Sequence, residues 1–145
     1  MKYNYPPSSY RVSAKAVIAY QKKILLIKEK SEHWDLPGGG VEHFEEIEDA
    51  LRRELREEIG AEISSINENR VQPWMTYDMD KDWAKPILYL VYPVTIFSIP
   101  SVSMGKAGFL NWYSLKELET VSLEKYIEKF RVNLINMSIC ITRNQ

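Results

Sequence analysis

Cysteine is almost missing from this chain: Cys140 stands alone, so no intrachain disulfide can form, which fits a reducing compartment. Long apolar runs are missing too. None approaches the roughly 20 residues that a bilayer span needs. The opening MKYNYPPSSYRVS has a lysine with no apolar core behind it, unlike a signal peptide. Neither sign of charge is in excess: 19 basic against 20 acidic residues leave −1, so there is no broad positive field and nucleic acid is not expected as a partner. His33 and His43 form no cluster with the cysteine, which removes the usual zinc spacing, and each reads as a surface or supporting residue. No internal repeat, low-complexity tract, GK[ST] phosphate loop or G-x-G-x-x-G fingerprint is present. What remains is a cytoplasmic, membrane-free chain of 145 residues, 45% hydrophobic, the size of one ordinary domain with a core.

Residues 1–10, rich in Tyr, Pro and Ser, read as irregular, and the whole of 1–145 reads as one α/β domain. RVSAKAVIAY and KILLIKE have strand composition, and Gln21-Lys22-Lys23 joins them as a hairpin. Pro37 and Gly38-Gly39-Gly40 mark a loop over 31–44. A helix is expected from about Glu45 to Ile59, stopped by Gly60. A short strand or two falls in 61–76, interrupted by Pro73, and TYDMDKDWAK is a polar loop. ILYLVYPVTIFSI is strand-forming, with Pro93 marking an edge, a bulge or a break. This β-prone stretch leaves a homodimer open. SVSMGKAG is a further loop and FLNWY a short strand. Ser114 and Glu117 form a capping-box pattern ahead of a short helix at SLKEL. The last helix runs from about Ser122 to Met137, with Leu123, Ile127, Phe130, Leu134 and Met137 on one face.

The helix over 45–59 carries acids on the wrong side. At about 100° per residue from Ile47, the stripe of Leu51, Leu55 and Ile59 spans about 0–120°, Glu54 falls near 340°, Glu58 near 20° and Glu57 near 280°. Three carboxylates thus share an arc that begins inside the apolar stripe. Like charges at i,i+3 and i,i+4 repel, and partial burial raises the cost of ionising them. Arg53, four residues before Glu57, can pair with it, but one guanidinium does not balance three carboxylates. A hard divalent cation such as Mg²⁺, which takes oxygen ligands, is the better offset. The bland alternative is a solvated charged face with ordinary ion pairs. The PGGG stretch ahead of the helix allows close approach of backbone to a ligand, and free N–H groups at a helix start can receive phosphate.

Taken as a whole, the spacing is Gly39, five residues, Glu45, seven residues, Arg53-Glu54-Leu55, one residue, Glu57-Glu58, one residue, Gly60-Ala61. This resembles the Nudix box of the Nudix hydrolase superfamily, G-x5-E-x7-R-E-U-x-E-E-x-G-U, with Ala61 smaller than usual at the last apolar position. Trp34-Asp35-Leu36-Pro37-Gly38 resembles the family's lead-in. The resemblance implies an α/β/α sandwich around a central mixed β-sheet. It implies Mg²⁺- or Mn²⁺-dependent hydrolysis of the diphosphate of a nucleoside diphosphate linked to another group, with a small nucleotide or dinucleotide as substrate. By position, Glu57 and Glu58 match metal ligands, and Glu54 matches a ligand or the residue that helps activate water. The carbonyl of Gly38 or Gly39 matches a further ligand, and Arg53, with Glu45 as its partner, positions the carboxylates. The alternative is a Nudix-like domain that binds or senses a nucleotide without cutting it.

The chain departs from the family pattern at two places. Phe44 stands where many members have glycine before the first box glutamate. Asn111, in GKAGFLNWYSL, stands where many carry an acid shortly before a tryptophan, and no acid lies between Asp82 and Glu117. Asp78, Asp80 and Asp82 are the candidates for that extra carboxylate. Trp74, Tyr77, Trp83 and Tyr89 are candidates for stacking on a base, although a core or surface aromatic is the favoured reading of each. Lys28 is a candidate phosphate contact, in a mixed stretch with Glu29, Lys30 and Glu32.

Overall fold

Alternation along RVSAKAVIAY sends Ala14, Ala16 and Ile18 to one side of a strand and Val17 to the other, so the strand is sandwiched between two apolar layers. The computed structural model describes residues 10–78, 85–100, 107–143 and 145. That first strand is β1 (Arg11–Tyr20), followed by β2 (Lys23–Lys28), β3 (Gly38–Gly40), α1 (Ile47–Ile59), β4 (Ile63–Ile66), β5 (Gln72–Asp78), β6 (Lys85–Ile96), β7 (Phe109–Ser114), α2 (Lys125–Lys129) and α3 (Arg131–Thr142). The sheet runs β4-β6-β1-β2-β7, with β3 on β1 and β5 on β6. It is mixed, because β6 lies parallel to β1 and the other pairs are antiparallel.

Helix α1 covers one face, setting Leu51, Leu55 and Ile59 against Ala16, Ile18, Leu25 and Val94. Each of those three side chains is fully buried, which contributes about 1.5–3 kcal/mol apiece. Helices α2 and α3 cover the other face, with Ile127, Leu134 and Met137 on Val17, Leu26, Trp74 and Val91. The result is the expected α/β/α sandwich.

Several local expectations are sharpened. The hairpin turn is only two residues long, Gln21 and Lys22, both at positive φ (48° and 61°), the geometry that matches strand twist. Gln145 clasps it, accepting the Lys22 N–H and donating to the Ala19 carbonyl. Pro73 does not interrupt β5, which among the described residues pairs with β6 alone and so has a free edge for a residue without N–H. Pro93 lies within β6 at the point where its outer neighbour changes from β5, last paired at Val91, to β4, first met at Val94. Its carbonyl accepts the Asn67 N–H there, so the missing donor faces a gap in the ladder.

Helix α1 starts at Ile47 rather than Glu45, because the Glu45 carboxylate folds back on the Glu42 N–H and Phe44 takes a left-handed φ of 64°. Gly60, at φ 64°, ends it as expected. The capping box forms in both directions: Ser114 N–H donates to Glu117 (2.7 Å) and Glu117 N–H to Ser114 Oγ (3.2 Å), opening a 3-10 turn over Glu117–Glu119. The terminal helix breaks at Phe130 (φ −112°, ψ 23°), where the ring stacks on Trp74 with centroids 5.3 Å apart.

Candidate active site

β2 separates from β1 after Ala19↔Ile24, and β3 occupies the edge it leaves, from Ser13↔Gly40 to Lys15↔Gly38. Ladder bonds from Ala16 N–H to the Pro37 carbonyl (2.8 Å) and from Val41 N–H to the Val12 carbonyl (2.9 Å) fix the parity of this pairing. Gly39 therefore bonds into the ladder, and both polar groups of Gly38 turn away from β1. Gly38 N–H donates to Glu58 Oε1 at 2.7 Å, and its carbonyl accepts Lys15 Nζ at 3.0 Å. Only glycine fits here: φ is +127°, and a Cβ would lie 2.1 Å from the Ala14 oxygen.

Glu58 sits in the apolar stripe of α1, only 6% exposed. Burial pushes its carboxyl up to about 8, against the downward pull of Lys15 and the Gly38 N–H. One turn earlier, Glu54 lies flat on β3, where a Cβ on Gly39 would come within 2.5 Å of its carboxyl carbon. Arg53 ties the cluster together. Its Nε and Nη2 bond Glu45 at 2.8 and 3.0 Å, Nη2 also reaches the Gly40 carbonyl at 3.0 Å, and Nη1 reaches Glu54 at 3.0 Å and Glu57 at 3.5 Å. The Arg53 bond, seconded by the Glu42 N–H, holds the Glu45 carboxyl down to about 2. Glu57 is the outermost, its side chain 42% exposed.

Across Gly38, a second set of groups was not foreseen from the sequence. Lys15, 6% exposed, spends its three ammonium donors on Asp35 Oδ2 (3.2 Å), the Leu36 carbonyl (3.2 Å) and the Gly38 carbonyl. Burial works to lower its pKa, but the charges of Asp35 and Glu58 outweigh that and raise it. The other Asp35 oxygen accepts the Tyr126 hydroxyl, and Tyr126 stacks on Tyr89 at 3.8 Å. The signal available was a lysine inside the apolar run SAKAVIA. The cleft between these groups encloses about 440 Å³ and also takes in Arg11 and Lys30.

The other candidates lie elsewhere. Trp74 is 1% exposed, its ring stacked on Phe130 and its N–H bonded to Gln72, so its surface is committed to the core rather than to a ligand. Tyr77 is exposed on β5, and the Lys28 ammonium lies over the Trp34 and Phe109 rings at 4.9 and 5.5 Å; neither lines the cleft. Trp83, Asp80 and Asp82 lie outside the described residues, and Asp78 closes β5. Asn111 turns its oxygen to the Trp112 N–H. His33 lines the cleft with Nδ1 2.7 Å from Ser122 Oγ, while His43 is exposed.

Among the described residues no three acidic, histidine or cysteine groups already stand in ligating array. Glu54 and Glu57 are turned to Arg53, and Glu58 to Gly38. The donor set is nonetheless all oxygen, which suits Mg²⁺ or Mn²⁺.

The family model described as NUDIX domain matches residues 9–135. The chain belongs to the Nudix family. This Nudix chain is 42% identical over 64 residues to a nucleoside triphosphatase NudI of Escherichia fergusonii, a match covering 41% of the chain and 43% of that relative. The chain therefore spans less than half the length of the curated relatives it matches. Among solved structures, a MutT NUDIX hydrolase from Burkholderia pseudomallei superposes with a TM-score of 0.66 at 28% identity, covering 88% of the Nudix chain and 97% of the other. The E. coli ORF135 protein superposes with a TM-score of 0.69 at 23% identity over 94% of each, a likeness of fold.

Proposed function

We propose that this Nudix chain is a pyrophosphohydrolase that cuts the diphosphate linkage of a nucleotide carrying another group, with Mg²⁺ or Mn²⁺ as cofactor and a cytoplasmic setting. One observation carries the reading: Glu54 and buried Glu58 line a glycine-edged cleft, and Arg53 ties Glu57 to Glu54 beside it. Glu57, Glu58, Glu54 and a carbonyl of Gly38 or Gly39 would hold the cation. A cation held there would supply positive charge against the diphosphate and make water easier to deprotonate. Glu54, braced by Arg53 and seated on Gly39, takes the proton from the attacking water as its oxygen bonds to phosphorus and the bridging P–O bond breaks. Arg53 does not touch the substrate; it keeps the carboxylates from splaying. Lys15, Arg11 and Lys30 present positive charge to the same cleft and favour an anionic substrate.

The test is phosphate or nucleotide release with Mg²⁺ across dinucleotides, nucleotide sugars and nucleoside triphosphates, repeated with Glu57→Gln. The variant is expected to lose on the order of 10²–10⁴ in rate. Equal rates in both proteins would overturn the mechanism. No turnover of any compound, together with tight nucleotide binding, would favour a sensor.

A further inference from the structure

We infer that Lys15 is the resident cation of the glycine-rich edge: its ammonium holds the Gly38 carbonyl beside buried Glu58 and gives that carbonyl up when a divalent cation is taken in. The inference rests on the reading that the box carboxylates hold such a cation. Its basis is the double use of one residue. Gly38 offers its N–H to Glu58 of α1 and its carbonyl to Lys15 of β1, whose ammonium lies on the side of the sheet that α2 covers. A lysine within an apolar strand has no packing reason to be there: fully buried Ala14 and Ala16 flank it in sequence on the opposite face, and fully buried Val17 follows it on its own face. An uncompensated buried charge is expensive, so the position makes physical sense only for its partners.

The ammonium also has somewhere to remain. When the Gly38 carbonyl is withdrawn, Asp35 Oδ2 and the Leu36 carbonyl, each at 3.2 Å, still hold it, and the Tyr126 hydroxyl fixes Asp35 from behind. Lys15 thus serves two states. Without a divalent ion it supplies the positive charge that Glu58 and the Gly38 carbonyl face. With one, it becomes a like charge nearby, and its presence lowers the affinity for that ion. Lys15 is on this account a positioning residue that keeps the empty cleft in order and keeps cation uptake reversible.

The experiment measures Mn²⁺ binding by calorimetry, and the thermal midpoint with and without Mn²⁺, for the wild type, Lys15→Met and Lys15→Met/Asp35→Asn. The double variant removes Lys15 without stranding Asp35. Both variants are expected to bind Mn²⁺ on the order of tenfold more tightly than wild type, and Mn²⁺ is expected to raise their midpoints by more than it raises that of the wild type. A residue that merely props the loop would shift both quantities the other way. Unchanged or weaker Mn²⁺ binding in folded variants would overturn the inference. So would variants that stay unfolded at saturating Mn²⁺, since a divalent ion would then have failed to replace the ammonium. A wild type that binds no Mn²⁺ would overturn the functional reading first, and this inference with it.

Discussion

Helices α1 and α3 both bury polar side chains, and they satisfy them in opposite ways. In α3 the buried hydroxyls close on their own helix: Ser138 donates to the Leu134 carbonyl and Thr142 to the Ser138 carbonyl, both at 2.7 Å. Arg131 at its start likewise ends on the carbonyls of Leu118 and Val121 next door. In α1 the buried Glu58 reaches out of the helix to a strand, and Glu54 and Glu57 share Arg53 with a loop glutamate. Polarity that serves only packing is settled locally. The acids of the proposed site are held by other elements, and burial leaves the Glu58 carboxyl raised despite Lys15 and the Gly38 N–H.

The largest break in this contrast is expected from Gly39→Ala. The new methyl would meet the Glu54 carboxyl at about the 2.5 Å already measured for a Cβ there. Displacing Glu54 should lower kcat/KM by on the order of 10²–10³, as loss of a positioned base does, with a stability loss below about 1 kcal/mol, because the atoms met are the free end of one side chain at the cleft. Steady-state kinetics and urea unfolding check both numbers, and wild-type rates would show that the seat on β3 is dispensable. Ser138→Ala should cost about 0.5–1.5 kcal/mol and leave turnover untouched; a fall in rate would erase the distinction between the two helices.

The smallest effect belongs to Glu117, an exposed carboxylate settled locally like the α3 hydroxyls. Its bond from the Ser114 N–H, then that with the Ser114 hydroxyl, lowers its pKa. A lowered folded value means the bond stabilises above the unfolded pKa and is lost as pH falls through the folded one. The stability gap between wild type and Glu117→Gln should therefore close between about pH 6 and about pH 3, read by thermal melts; a gap that widens on acidification would reverse the assignment.

The contrast also explains what could be read in the sequence. The α1 acids fall within one short window at helical spacing, so their phase against Leu51 and Leu55 was visible without coordinates. So was the Ser114–Glu117 box, which is local by construction of the chain. Lys15 was not, because its partners lie 20 to 23 positions away and depend on the pairing of β3 with β1. Trp74 invited a role in ligand stacking because a lone aromatic gives no sign of its neighbours; its partner Phe130 comes from the far side of the chain, and it is also the residue at which the terminal helix, expected as one element from about Ser122 to Met137, breaks in two.

Gly38 has one more implication. A residue with no side chain carries a hydrogen-bonded path from Glu58 to the C-terminal layer, by way of Lys15, Asp35 and Tyr126. The carboxyl-terminal third of the molecule, remote from the acids in sequence, is tied to them in this way through polar contacts alone.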